Sequence, residues 1–242
     1  MSKPQKFTVA ALQIRNHPRY ERNLERLLQS IREQANSKLI VAPEVCLTDY
    51  DYTHMEDAVD FSRQALVQIC EAVDRQIVVL TLLTKTEKGY SNDAVVIHRH
   101  KVVHRQSKHK LFALGEEDRH LLPGRQEEIR IFEIEGVKYG LMVCFELRFK
   151  ALWRQLEGAD IILLPSQWGL PRKKHLEVLS QALAIMNQCY VVVANSAKET
   201  MASSSAIYSP SGGVVTDDMK EVIKSEIDFA LIKKMRRYIV MH

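Results

Sequence analysis

Glycine is scarce, with nine in 242 residues, so few segments could wrap a phosphate in bare backbone. Neither G-x-G-x-x-G nor G-x-x-x-x-G-K-[ST] occurs, which argues against dinucleotide and P-loop nucleotide sites. G-x-S-x-G is missing too, and a serine hydrolase with that nucleophile turn is disfavoured. The four cysteines, Cys46, Cys70, Cys144 and Cys189, form no C-x-x-C pair. A disulfide framework or structural zinc is therefore not expected, and a reducing cytoplasm is the natural compartment. Apolar runs are short (Ile77 to Leu83, Ile161 to Leu164, Tyr190 to Ala194). None approaches the roughly 18 residues of a membrane helix. The opening MSKPQKFTVA has no signal-peptide layout, so a soluble protein is expected. Net charge is +4, from 34 Lys and Arg against 30 Asp and Glu, too small an excess to demand a nucleic-acid or membrane partner.

What remains is the composition of an ordinary globular protein, 46% hydrophobic and 26% charged. Alternation predicts a strand over Phe7 to Ile14, a short strand of the buried type is expected over Lys38 to Val41 and a further strand over Ile77 to Thr84, and helical spacing predicts helices over Tyr20 to Ala35 and Asp57 to Arg75. Hairpins are expected at Tyr90 to His98 with Lys101 to Gln106, and at Ile129 to Ile134 with Val137 to Val143. Lys108 to Glu128 reads mostly as loop. A helix over Glu146 to Leu156, a strand from Asp160 stopping at Pro165, a helix over Arg172 to Asn187 and a strand over Tyr190 to Asn195 follow. Short strands come next, and Asp228 caps a last helix. Strand and helix alternate throughout, which is a layered α/β pattern. No linker or fixed-period repeat interrupts it, so residues 1–242 read as one domain.

Three places could carry chemistry. Cys144 sits where a strand is expected to turn into a helix, near amides that lower a thiol's pKa and bind an oxyanion. On local evidence alone the commoner fate of a free cysteine, a small buried hydrophobe, is the favoured reading. Glu44 ends the strand segment Leu39-Ile40-Val41-Ala42-Pro43, at the end of a sheet where α/β sites gather, or it is a solvated loop acid. The segment from His98 to Lys110 holds five Lys or Arg and four His. It reads as a solvated hairpin face, a metal site using His98, His100 and His104, a nucleic-acid strip without stacking aromatics, or the source of one catalytic lysine.

Together these segments resemble the nitrilase superfamily of carbon–nitrogen hydrolases, in its omega-amidase-like branch. Val41-Ala42-Pro43-Glu44 with Leu47-Thr48-Asp49-Tyr50 resembles the family's strand ending in Pro-Glu, followed by Leu-Thr-Gly-Tyr. Cys144-Phe145-Glu146-Leu147-Arg148-Phe149 is similar to its Cys-Tyr-Asp-Leu-Arg-Phe. Lys108-His109-Lys110-Leu111-Phe112 looks like Lys-x-His-Leu-Phe, and Pro123-Gly124 like its Pro-Gly. Ala184-Ile185-Met186-Asn187-Gln188 and Ser205-Ala206-Ile207 through Pro210-Ser211-Gly212 extend the match along the chain. Asp49 stands where the family usually has Gly, Met186 where it has Glu, and Lys110 where it has His.

The resemblance implies a four-layer αββα sandwich that pairs as a homodimer or larger. It implies Cys144 as nucleophile, Glu44 as general base, and Lys108 with the backbone N–H of Phe145 as oxyanion donors. Lys108 is preferred over Lys110 because its register keeps Leu111-Phe112 and Pro123-Gly124 on the motif without a gap. Glu117 matches the second carboxylate, with Glu116 as the fallback. Arg148 and Trp168 could shape the pocket. The expected activity is hydrolysis of a small linear carboxamide through a thioester, releasing ammonia, with no cofactor and no metal. N-carbamoyl amine or nitrile hydrolysis is the alternative within the superfamily. A non-catalytic small-molecule binder and a nucleic-acid binder are the alternatives outside it.

Overall fold

The computed structural model describes residues 4–241. Its first half runs β1 (Lys6–Leu12), α1 (Tyr20–Glu33), β2 (Leu39–Val41), α2 (Met55–Ala72), β3 (Ile77–Thr86), β4 (Gly89–His98) and β5 (Lys101–Ser107). Next come the short α3 (Glu117–His120), β6 (Phe132–Ile134), β7 (Val137–Leu141), α4 (Lys150–Gln155), β8 (Ile161–Ser166), α5 (Lys173–Met186) and β9 (Tyr190–Asn195). The chain closes with β10 (Ala206–Tyr208), β11 (Val214–Thr216), β12 (Val222–Asp228) and α6 (Phe229–Tyr238). Among the described residues these strands form two six-stranded sheets, ordered β12-β1-β2-β3-β4-β5 and β11-β10-β9-β8-β7-β6. The order is the same in both: three parallel strands in the middle of each sheet, flanked by antiparallel ones.

Strand periodicity builds the layers. Val9, Ala11, Leu39, Val41 and Val79 join Tyr139, Leu141 and Leu163 in one buried cluster where the sheets face each other. Their neighbours Ala10, Leu12, Ile40, Val78 and Leu80 point the other way, under Leu24, Leu27 and Ile31 of α1 and Ile69 of α2. Each Val, Leu or Ile among them contributes about 1.5–3 kcal/mol by leaving water, on both faces of β1 and β2. The result is the expected αββα sandwich. The loops that leave the C-terminal ends of β2, β7, β8 and β9 gather at one edge of it, which is where open α/β sheets place their sites.

Two local expectations are corrected. The helix expected over Glu146 to Leu156 is broken: Cys144–Arg148 is a 3₁₀ turn, Phe149 is extended (φ −105, ψ 101), and α4 starts after it. The buried Glu146 carboxylate binds the Val143 N–H at 2.6 Å, which winds the turn tightly around its own side chain. The strand expected to stop at Pro165 runs on to Ser166. Pairing of β8 with β7 has already ended at Leu163, so a residue without an N–H is tolerated there. Asp228 does cap α6, accepting from the Ala230 N–H at 2.8 Å.

Candidate active site

Two strand ends carry their side chains inward on strained backbone. Val45 (φ 42) and Cys144 (φ 49) lie in the left-handed region, which costs a β-branched residue most. The Val45 turn is held by its N–H on Thr81 Oγ1 at 2.8 Å and by Asn16 Nδ2 on its carbonyl at 3.1 Å. That turn directs the adjoining Glu44 into the protein, where it is fully buried.

Lys108 is clamped by its main chain before its side chain acts. Its N–H donates to the Asn92 carbonyl and its carbonyl accepts from the Gly124 N–H, both at 2.8 Å. A Cβ on Gly124 would fall 2.2 Å from the Ser107 carbonyl oxygen, so only glycine permits this approach. The fully buried ammonium then donates to Glu117 Oε1 at 2.7 Å, Glu44 Oε1 at 2.8 Å and the Tyr50 hydroxyl at 3.3 Å. Glu44 Oε1 also accepts from Tyr50 at 2.6 Å and Asn92 at 3.0 Å, whereas its buried Oε2 has no partner among the described residues.

The electrostatics follow from burying three charges and a thiol together. Burial alone would lower the Lys108 ammonium, but Glu44, the Cys144 sulfur and Glu117 outweigh it and hold it above its ordinary range. Burial raises Glu117, with Lys108 pulling against it. Burial and the Glu44 charge push the Cys144 thiol well up, against Lys108 and the Gln167 N–H, which donates to Sγ at 3.5 Å. This corrects the expectation that helix amides would depress that thiol. The short 3₁₀ turn leaves burial dominant.

Glu44, Glu117, Cys144, Phe145, Arg148 and Trp168 all line one cavity of about 220 Å³, with Lys108 buried behind the two carboxylates. Glu116 instead pairs with Arg119 at the surface. Lys110 lies over the Phe149 ring at 5.2 Å and joins neither carboxylate. His98, His100 and His104 turn to Gln76, Cys70 and Gln106 respectively.

Residues 8–237 match the sequence profile described as "Carbon-nitrogen hydrolase". The chain belongs to the carbon–nitrogen hydrolase family. It is 25% identical over 221 residues to "2-oxoglutaramate amidase" of Bacillus subtilis (strain 168), covering 86% of this chain and 85% of that protein. It is 27% identical over 229 residues to "Omega-amidase YafV" of Escherichia coli (strain K12), covering 89% and 86%. Its fold is similar to that of Saccharomyces cerevisiae Nit3, a member of branch 10 of the nitrilase superfamily, with a TM-score of 0.86 at 22% identity over 99% and 97% of the chains. The resemblance to the nitrilase superfamily and its omega-amidase-like branch holds.

The sequence motifs alone do not single out the polar partners that complete this candidate site. Tyr50 and Glu146 lie inside quoted motifs yet received no role. Asn92, in the middle of β4, gives no signal in one sequence. Glu146 Oε1 accepts the His109 N–H at 2.6 Å and the Lys110 N–H at 3.4 Å, tying the turn of Cys144 to the segment of Lys108. Burial raises its carboxyl to about 7, even with these N–H donors and Lys108 opposing.

Proposed function

We propose that the protein hydrolyses the C–N bond of a small linear carboxamide through a thioester on Cys144, releasing ammonia and a carboxylate. The observation that carries this reading is the Lys108 ammonium held between Glu44 and Glu117 in the cavity that contains Cys144. At rest the thiol keeps its proton, because a thiolate would be a third anion beside one cation. As Sγ attacks the amide carbon, its proton passes to Glu44, whose unpartnered Oε2 is the free acceptor. The oxyanion is met by Lys108 and the backbone N–H of Phe145. All three ammonium hydrogens are engaged at rest, and the 3.3 Å contact to Tyr50 is the longest, so it is the one that yields. Protonated Glu44 gives its proton to the leaving nitrogen, ammonia departs, and the C–N bond is replaced by C–S. Glu44 then takes a proton from water, whose oxygen attacks the thioester, and Sγ leaves and is reprotonated.

The cavity favours an amide that also carries a carboxylate. Arg148 stacks over Trp168 at 4.6 Å and Arg172 over Phe112 at 5.1 Å, and both guanidiniums line the cavity. Burial and the neighbouring Arg172 lower Arg148, whose Nη2 meets His175 Nδ1 at 3.0 Å, and among the described residues neither arginine has a carboxylate partner. The relative named for 2-oxoglutaramate is named for a molecule of this kind. We also assign residues 1–242 to one hydrolase domain, working as a homodimer or larger in the cytoplasm. Exposed Val178, Ile185 and Met186 on α5 favour self-association, and four free thiols favour a reducing compartment. Ammonia release across monoamides of dicarboxylic acids, neutral amides, carbamoyl amines and nitriles tests the reading. Turnover led by the acidic amides is expected, and turnover of nitriles or carbamoyl amines alone would overturn it.

A further inference from the structure

Asp49 occupies a left-handed position (φ 57) in the loop after β2, with its N–H on the Val45 carbonyl at 2.8 Å. Its side chain reaches two other loops. Oδ1 accepts from Gln167 Nε2 at 2.8 Å, just after β8, and Oδ2 pairs with Lys198, just after β9. Those two loops are already stitched together by Leu170 N–H to the Thr200 carbonyl at 2.9 Å and Ala202 N–H to the Trp168 carbonyl at 2.8 Å. The same Gln167 gives its backbone N–H to Cys144 Sγ and lines the cavity.

We propose that Asp49 is a positioning residue: by holding the Gln167 side chain it fixes the peptide plane whose N–H faces the Cys144 sulfur. This rests on Cys144 being the nucleophile. The Asp49–Lys198 pair is about one-third exposed on both sides (30% and 34%), so as a surface ion pair it adds little to stability. Its consequence lies at the sulfur. Burial and Glu44 disfavour the thiolate there, while the Gln167 N–H and Lys108 favour it. Loosening Gln167 withdraws one of two groups that support negative charge on Sγ.

The geometry gives a clean variant. Glycine adopts φ 57 more easily than aspartate, so Asp49→Gly removes the side chain and leaves the backbone relaxed. Asp49→Asn keeps an oxygen for Gln167 Nε2 and loses only the charge facing Lys198. Asp49→Gly should lower kcat about tenfold with KM little changed, and move the pH profile of Cys144 alkylation by iodoacetamide upward. Asp49→Asn should stay near the parent in both. Parental kcat and alkylation in Asp49→Gly would overturn the proposal, and so would equal impairment in Asp49→Asn. Alkylation needs no amide substrate, so a protein that hydrolyses no amide yet shows the alkylation shift would sink the amidase reading and leave this one standing.

Discussion

Lys108 and Glu117 are nine residues apart in sequence and meet at 2.7 Å where neither is in contact with solvent to any useful extent. Glu117 Oε2 accepts the Phe112 N–H at 3.1 Å, so the carboxylate is anchored on one side and holds the ammonium on the other. Glu117→Gln keeps an oxygen for Lys108 but sets an amide N–H₂ against Phe112. A charge-assisted hydrogen bond contributes about 1.5–3 kcal/mol, so kcat should fall about ten- to hundredfold. Steady-state kinetics with an unchanged thermal transition would show this, and parental kcat would remove Glu117 from the site.

Lys108→Ala should abolish turnover, an effect of order 3 kcal/mol or more in the barrier. It should also destabilise the fold by about 3–5 kcal/mol near neutral pH, because Glu44 and Glu117 are left buried without their cation. Lys110→His should be tolerated, since Lys110 contributes a contact with the Phe149 ring rather than a charge to the carboxylates. An active Lys108→Ala with a dead Lys110→His would reverse the assignment.

Much of this was legible in the sequence, for reasons visible in particular elements. The spacing of Leu24, Leu27 and Ile31 marks α1, because burial on one face imposes a period, whereas β1 and β4 are buried on both faces and show as short apolar runs. The turn at Cys144 is not legible in this way. Leu152 and Leu156 at i, i+4 mark a helix, but nothing local reports that it starts only after Phe149, or that Glu146 will be consumed by the backbone of His109, 37 residues away in sequence. Glu44, Lys108 and Cys144 were readable through ordered motifs. Asn92 and Gln167 are not, since Asn92 meets Glu44 and Tyr50 only once β2, β3 and β4 have paired, and Gln167 meets Asp49 only once the two sheets have been brought together.

Glu146 makes the pH dependence of stability testable. Its folded value is about 7 against an ordinary 4.5, the direction in which burial disfavours the charge. Below 4.5 both folded and unfolded chains hold the proton; between 4.5 and about 7 only the folded chain does; above that, neither does. This group therefore lowers stability as pH rises through that window, by up to about 1.4 kcal/mol per pH unit, and its full penalty persists above it. Glu146→Gln removes the titration. Urea unfolding at about pH 5 and about pH 8 should show the parent losing stability relative to the variant at the higher pH, whereas a pH-independent gap would contradict the assigned burial.

Arg148→Leu and Arg172→Leu should raise KM for an acidic amide about tenfold or more while changing neutral amides little, because a guanidinium–carboxylate contact made in both ground and transition states is lost. Equal losses on acidic and neutral amides would show that the arginines shape the cavity without reading charge.

The proposed thioester rests on one sulfur. Cys46 and Cys189 are buried with thiols pushed up to about 12, and neither lines the cavity. The decisive measurement is ammonia release by Cys144→Ala beside the parent, on an amide the parent hydrolyses, with circular dichroism confirming an intact fold. No release above background is the predicted result. Release at the parental rate would contradict nucleophilic catalysis by Cys144.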